Sequence, residues 1–191
     1  IATYTENNCK FRFDVEKTYF SPRLSNERNE IAKQVKKNEK VLVLFAGVAP
    51  FSIVIAKLTK PEFVYSVEIN REASKYAEEN VKLNKLNNIK VIQGDVKKVI
   101  PKLAKQGIRF DRIVMPRPQL KETFLSHAFK IVRKQGIINY YGFGKQENEI
   151  INEIEKDSKK AKKKIKILKV KKAGNIGPYK YRFRVDFKVL N

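Results

Sequence analysis

The most constraining feature of the sequence is an apolar run that leads through a small-residue turn into a segment started by proline. Residues 41–45 read Val-Leu-Val-Leu-Phe, a composition typical of a strand buried on both faces. Gly47 and Ala49 follow, and Pro50 stands where a helix would begin, since its fixed φ suits the first helical residue. This order of elements brings backbone N–H groups up to a nucleotide-like ligand in α/β proteins.

The second constraint is an acid at the end of the next strand. Residues 63–67 form another apolar run, and Glu68 closes it, 21 residues after Gly47. Such a spacing is typical of the carboxylate that binds ribose hydroxyls in dinucleotide or adenosyl sites.

Strand-like and helix-like segments alternate along most of the chain. Five strands alternate with helices, and two strands around a turn at residues 174–178 follow. We therefore predict an α/β fold with a doubly wound, mostly parallel, Rossmann-like sheet and an antiparallel C-terminal strand. Ligands of such sheets bind outside the carboxyl ends of the strands, and five residues are expected there: Gly47, Glu68, Asp95, Pro116 and Tyr141.

The same patterns predict the domain boundaries and several local features. We expect residues 1–24 to be a strand and loop segment that belongs to an upstream region, and residues 25–191 to be one catalytic domain. Residues 119–134 have helical spacing, whereas the strand at 179–190 alternates apolar and charged residues, which predicts one solvated face. The chain begins with Ile and not with Met, so we expect a piece of a longer protein.

Composition narrows the class of partner. The net charge is +22, which favours a polyanion, nucleic acid first and an anionic membrane second, over the alternative of a merely solvated lysine-rich surface. No apolar run is long enough to span a bilayer, and because nucleic acid is the favoured polyanion we expect no membrane partner. With one Cys and one His, no metal site is expected, and the single cysteine is typical of a reducing, cytoplasmic compartment.

Two strand-end acids favour S-adenosylmethionine (AdoMet) over a nicotinamide cofactor, since the glycine turn lacks a third glycine. Glu68 would bind the ribose and Asp95 the adenine amino group. Three stretches then become recognisable: Phe-Ala-Gly-Val-Ala-Pro-Phe-Ser-Ile at residues 45–53, Tyr-Phe-Ser-Pro-Arg-Leu-Ser-Asn-Glu-Arg at 19–28, and Glu-Ile-Asn at 68–70. Together they resemble the archaeal and eukaryotic tRNA (guanine-37-N1)-methyltransferases, which are AdoMet-dependent class I enzymes.

The resemblance implies roles for individual residues. Glu27 would be the general base for the guanine N1 proton, although its position in the first turn of a helix also allows simple stabilisation of the helix dipole. The remaining catalytic candidates are Tyr19 and Arg23. The cofactor candidates are Arg28, Phe45, Gly47, Glu68, Ile69, Asn70, Asp95, Val96 and Pro116. The candidates for tRNA contacts are Arg117, Tyr141, Lys162, Lys163 and Arg182, with core packing as the alternative for Tyr141.

The sequence also departs from the family pattern. Val43 stands where the family has an acid, Ala49 replaces a glycine, and Met-Pro-Arg-Pro at residues 115–118 replaces Asn-x-Pro. A changed guanine pocket is therefore expected, one that could also admit a wyosine-type base. The alternatives are aminocarboxypropyl transfer from AdoMet and a non-catalytic RNA-binding module. A monomer that binds the anticodon loop of tRNA is the expected assembly.

Overall fold

The computed structural model describes residues 1–191, which group into two compact units, residues 1–99 and residues 100–191. The N-terminal unit opens with an antiparallel hairpin of β1 (Ala2–Glu6) and β2 (Cys9–Phe13). Alternate residues of β2 are buried, as its period-two apolar pattern requires. A single 3-10 turn at Pro22–Leu24 then leads into α1 (Ser25–Gln34).

Three parallel strands form the sheet of the N-terminal unit in the order β5-β4-β3, namely β3 (Lys40–Leu44), β4 (Phe63–Glu68) and β5 (Ile89–Gln93). Their connections are α2 (Pro50–Leu58) and α3 (Arg71–Leu83). The prediction that Pro50 begins a helix is confirmed. The four C-terminal residues of β3 are buried, as expected for an inner strand.

Helix α4 (Val96–Lys105) follows β5 and contains Pro101, a residue type that ordinarily kinks or breaks a helix interior. The helix nevertheless continues past the proline. Its strongly amphipathic pattern buries Val99, Ile100 and Leu103.

The C-terminal unit contains four sheet strands, β6 (Phe110–Met115), β7 (Val132–Gly144), β8 (Ile165–Gly177) and β9 (Lys180–Val189). Their order is β6-β7-β9-β8; β6 and β7 are parallel, whereas β9 is antiparallel to both β7 and β8. The predicted α/β class, with mostly parallel pairing and an antiparallel C-terminal strand, is confirmed.

The predicted helix over residues 119–134 was wrong in extent. The structure has only α5 (Leu125–Ile131), preceded by Phe124 in the left-handed region with φ of 61°. Strand β7 already begins at Val132, because its first residues pair with β6 across a bulge. Helix α6 (Glu147–Lys160) follows β7.

The prediction of one solvated face on β9 was also wrong. Strand β9 lies between β7 and β8, and Arg184 and Asp186 are both buried on the face expected to be wet. Asp186 accepts a 2.7 Å hydrogen bond from Asn139 and pairs with the Nε of Arg184 at 3.2 Å. Asn139 in turn accepts a bond from Arg112 at 3.1 Å. Hydrogen bonding and pairing make burial of these polar groups tolerable.

The hairpin of residues 1–24 packs within the N-terminal unit, where β2 contacts α2 and α3. A division into residues 1–24 and 25–191 therefore stays a prediction about the longer protein. None of the helices is both long enough and apolar enough to cross a lipid bilayer.

Candidate active site

The turn after β3 has an unusual backbone. Gly47 has a φ of 58°, and its neighbours Phe45 and Ala49 also lie in the left-handed region, at 56° and 66°. Residues other than glycine occupy this region at a cost of about 1–3 kcal/mol each. Surrounding contacts must therefore hold the turn in place, and such concentrated strain is typical of functional sites.

Glu68, at the carboxyl end of β4, faces this turn. One carboxylate oxygen accepts a 2.7 Å hydrogen bond from the backbone N–H of Gly47, and the other accepts one of 2.7 Å from the N–H of Asn70. The side chain is half-buried. A carboxylate offers about four lone-pair positions, so each oxygen can accept a further bond from a ligand hydroxyl. The structure thus brings Gly47 and Glu68 together, as their spacing predicted.

The segment before α1 passes over the same turn. The Asn70 side chain donates a 3.1 Å bond to the carbonyl of Lys17 and caps α3 with its oxygen. A Cβ atom added to Gly47 would lie 3.6 Å from the carbonyl oxygen of Tyr19. Glycine therefore leaves the space between the turn and this segment open. The Tyr19 side chain itself is 72% exposed.

The end of β5 lies beside the end of β4, since the Gly94 N–H donates a 2.8 Å bond to the carbonyl of Glu68. Asp95 is half-buried and caps α4 by accepting a 2.9 Å bond from the N–H of Lys97. Ile69 is 62% exposed next to it, whereas Val96 is buried. Two carboxylates, one exposed apolar residue and a bare turn thus share one edge of the sheet, which suits the ribose and base of a nucleoside.

Helix α1 carries the predicted base. Glu27 is buried in its first turn, and α1 packs against α2, which follows the glycine turn. Arg23, in the 3-10 turn before the helix, is exposed. The distance from Glu27 to a reacting atom depends on the bound substrate, so its role as the base stays a prediction.

Arg28 has protein partners in this structure. It forms a buried ion pair with Glu6, with Nη2 at 2.6 Å from Oε2, and donates a 3.0 Å bond to the carbonyl of Ser21. Its guanidinium also lies 5.0 Å from the centre of the Phe20 ring. These contacts fix the Tyr19–Ser21 segment to the hairpin, whereas a direct cofactor contact by Arg28 stays a prediction.

Sequence reasoning missed two asparagines on α3. Asn80 accepts a 2.7 Å bond from the Arg12 N–H and donates to the carbonyls of Arg12 and Val48 at 3.1 and 3.2 Å. Asn84 makes the same paired bonds with Lys10, at 2.9 and 2.7 Å. The signal was present, since both asparagines continue the buried stripe of α3 that begins at Ala73.

Arg117, predicted to contact the substrate, is buried in the C-terminal unit. It follows the half-buried Pro116 and donates bonds of 2.9 and 3.0 Å to the carbonyls of Leu120 and Glu122. Its guanidinium also lies 5.1 Å from the ring centre of Tyr140. These bonds organise the loop between β6 and α5, and a substrate contact by Arg117 stays a prediction.

The tyrosines of β7 are part of the core. Tyr141 is 1% exposed, which favours core packing, the alternative given above, over a contact with tRNA. Burial raises the pKa of the neighbouring Tyr140 phenol well above its usual value. Tyr140 therefore stays protonated and donates a 2.8 Å bond to Glu153.

The three remaining basic candidates lie at the surface of the C-terminal unit. Lys162 is exposed, Lys163 donates a 3.1 Å bond to the carbonyl of Asn191, and the Arg182 guanidinium lies 5.3 Å from the Phe143 ring centre. They are accessible to a phosphate backbone, and contact with tRNA stays a prediction.

In this chain the backbone N–H of a glycine turn donates a hydrogen bond to a carboxylate at the end of the neighbouring parallel strand. This arrangement is typical of α/β domains that bind nucleosides. Similarity to known proteins narrows this class to one family. A family model described as the TRM5/TYW2 methyltransferase domain matches residues 2–168, and the chain belongs to this family.

Two curated relatives and one solved structure illustrate the similarity. The chain is 39% identical to tRNA (guanine(37)-N(1))-methyltransferase Trm5b of Pyrococcus abyssi, over 97% of this chain and 54% of the relative. It is 35% identical to tRNA (guanine(37)-N(1))/4-demethylwyosine(37)-methyltransferase Taw22 of Nanoarchaeum equitans, over 99% and 79%. The crystal structure of Methanocaldococcus jannaschii TYW2 in complex with AdoMet superposes with a TM-score of 0.86 at 30% identity, covering 99% of this chain and 85% of that one. The chain spans about half the length of the Pyrococcus relative.

Proposed function

We propose that this chain is the catalytic domain of an AdoMet-dependent enzyme that methylates N1 of guanine 37 in tRNA. The observation that carries the proposal is the joint placement of Gly47, Glu68 and Asp95 at the carboxyl ends of adjacent strands. The names of the relatives supply the reaction, and the site supplies the means to hold its cofactor.

The residues of the edge fit AdoMet. Glu68 would accept bonds from the ribose hydroxyls through its remaining lone pairs, Asp95 would accept one from the adenine amino group, and Ile69 would pack on the adenine. Gly47 lets the backbone approach the methionine end, because a side chain there would narrow the space below Tyr19. AdoMet, when bound, supplies a methyl group already activated by its sulfonium, so the proposed reaction requires no metal.

Glu27 is proposed as the general base. Guanine N1 carries a proton near neutral pH, and this proton must leave as N1 forms its bond to the methyl carbon. Burial of Glu27 shields the transfer from bulk water. Most of the remaining acceleration would come from holding N1 in line with the methyl group, which is a matter of proximity and orientation.

The proposed substrate is the anticodon loop, where an unpaired base can leave the stack and enter a pocket. The net charge of +22 supports an RNA partner. A monomer acting in the cytoplasm is the simplest assembly and location for this substrate.

A wyosine-type base is proposed as a second substrate. The observation that favours it is the 35% identity to a relative named for both guanine 37 and 4-demethylwyosine 37. Pro116, where the family pattern has asparagine, supports a guanine pocket of altered shape.

The test uses the full natural protein, unmodified tRNA transcripts and isotope-labelled AdoMet. Mass spectrometry is expected to find one labelled methyl group at guanine 37 and adenosylhomocysteine as co-product. A transcript with adenosine at position 37 is the control and should stay unlabelled. Methylthioadenosine as co-product would instead establish aminocarboxypropyl transfer, and failure to bind AdoMet in calorimetry would support a non-catalytic RNA-binding module.

The role of Glu27 has its own test. Glu27→Gln should lower kcat at least about 100-fold, the usual contribution of a general base, while the Kd for AdoMet stays within about twofold. Glu30→Gln on the same helix is the matched control and should keep activity. An unchanged kcat in Glu27→Gln would leave only the helix-dipole role.

A further inference from the structure

The positive charge of the chain is concentrated in one stretch of the C-terminal unit. Between Ser158 and Val185 there are twelve lysines and arginines and no acidic residue. Except for the buried Arg184, all of these side chains are exposed or half-buried. Most of the stretch forms β8 and β9, which pair as a long antiparallel hairpin. A polyanion is the partner that this charge distribution favours.

The tip of this hairpin carries an aromatic residue in an unexpected place. Gly177 pairs with Lys180, so Pro178 and Tyr179 form the turn between the strands. Tyr179 has a φ of 52°, a conformation that glycine or asparagine adopts more readily in turns. Its side chain is 78% exposed. A large ring is therefore held in the solvent at a position where local stability would favour a small residue.

The aromatic rings nearest to the tip have a cationic side chain over them, whereas the ring of Tyr179 is open to solvent. The Lys172 ammonium lies 3.3 Å from the ring centre of Tyr181, and Arg182 lies over Phe143. The exposed ring of Tyr179 has Lys180 next to it in the chain, and Lys180 is exposed as well. An open aromatic ring followed in the chain by an exposed lysine suits a nucleotide, which offers a base and a phosphate together.

We propose that the β8–β9 hairpin tip is an RNA-binding surface on which Tyr179 stacks against an unpaired base, while Lys172 and Lys180 contact the flanking phosphates. The inference rests on the proposed function for the identity of the RNA, and it adds the mode of recognition. An unpaired base is required because paired bases offer no free face to an aromatic side chain. The occupant is RNA and not a lipid surface, since Tyr179 and the 38% exposed Ile176 together offer little apolar area for insertion among the lysines.

The experiment measures RNA binding by fluorescence anisotropy with the whole chain and no AdoMet. The probes are an anticodon-type RNA stem-loop and a fully paired RNA duplex of equal length. Tyr179→Ala should weaken binding of the stem-loop about tenfold, as expected for loss of one base stack, and change binding of the duplex less than about twofold. Tyr179→Phe should bind both probes like the natural chain, because stacking does not need the hydroxyl.

Two further variants separate stacking from other causes. Leu168→Ala removes an exposed apolar side chain of β8 and should leave both affinities unchanged. Lys172→Ala and Lys180→Ala should each lower the slope of log K against log salt by about 0.7–0.9, the value for one phosphate contact. Melting temperatures verify that each variant is folded.

Some outcomes would overturn the proposal. The proposal fails if Tyr179→Ala weakens binding of the stem-loop and the duplex equally, or weakens neither. It also fails if the chain binds phosphatidylserine vesicles more tightly than RNA. The assay contains no methyl transfer, so it is independent of catalysis. If the full natural protein transferred no methyl group while the Tyr179 effect persisted, the proposed function would be contradicted and this inference would stand.

Discussion

Replacing Asn80 with alanine removes three hydrogen bonds at once, because this buried side chain joins strand β2 to the turn after β3. The change leaves the N–H and carbonyl of Arg12 and the carbonyl of Val48 without their partner. Val48 lies between Gly47 and Ala49, both of which have positive φ. We expect two effects, one on folding stability and one on the shape of the cofactor turn.

The loss of stability follows from the number of groups left unpaired. Each hydrogen bond contributes about 0.5–1.5 kcal/mol, and a buried group without a partner costs about 1–3 kcal/mol. Because Asn80 and Val48 are fully buried, we expect Asn80→Ala to lower the free energy of unfolding by roughly 2–4 kcal/mol. At about 2–4 °C per kcal/mol for a chain of this size, the Tm should fall by roughly 4–16 °C.

Asn84→Ala is the matched control. It also loses three side-chain bonds, two to Lys10 and one to the carbonyl of Asn80, but none to the turn after β3. Both variants should show a similar fall in Tm by calorimetry. In titrations well below the Tm, only Asn80→Ala should weaken AdoMet binding, by about fivefold, the equivalent of one hydrogen bond. If the two variants bind AdoMet with equal affinity, Asn80 does not position the turn.

Three further changes have defined outcomes. Glu68→Ala should raise the Kd for AdoMet at least about tenfold, as expected for lost charge-assisted bonds, while Glu72→Ala, which removes an exposed partner of Lys75, leaves titrations unchanged. Asp186→Asn should lower the unfolding free energy in urea by roughly 3–5 kcal/mol, since it leaves Arg184 buried beside a neutral group; a loss below 1 kcal/mol would refute this. Burial raises the pKa of the Cys9 thiol from 9.0 to about 11. The protonated thiol therefore contributes fully to folding stability below pH 9, and this contribution is lost as the pH rises toward 11. Over that range the natural chain should lose about 2 kcal/mol more than Cys9→Ala, and parallel pH curves would contradict the assignment.

The strand ends were predictable from the sequence because they depend on local patterns. Apolar runs located β3 and β4, and the spacing between Gly47 and Glu68 predicted a contact that the structure contains as a hydrogen bond. Such features are set by residues close in sequence and by the general geometry of parallel sheets.

The features that were missed depend on tertiary placement. The charged positions of β9 alternate as on a solvated strand, but β9 lies between two other strands. Arg184 and Asp186 are buried there and pair with each other, and Asp186 also pairs with Asn139 of β7. Arg117 was predicted as a substrate contact from its place in the sequence, yet it is buried and its Nη1 donates to two carbonyls of the following loop. The burial of these residues cannot be inferred from hydrophobic periodicity or from a motif. It depends on which groups, distant in sequence, need a hydrogen-bond partner.

The pair of asparagines on α3 has a consequence for the length of β2. The step from Asn80 to Asn84 advances about 6 Å along α3, and the step between Arg12 and Lys10 advances about 6.8 Å along β2. The helix and the strand therefore match over this one step, and the mismatch grows with each further step. The two asparagines bind Lys10 and Arg12, and residue 76, four positions earlier on the helix, is a tyrosine without an amide for a third strand position. An insertion or deletion within β2 cannot be absorbed by sliding along the helix, and changes in hairpin length are confined to the chain outside these two residues.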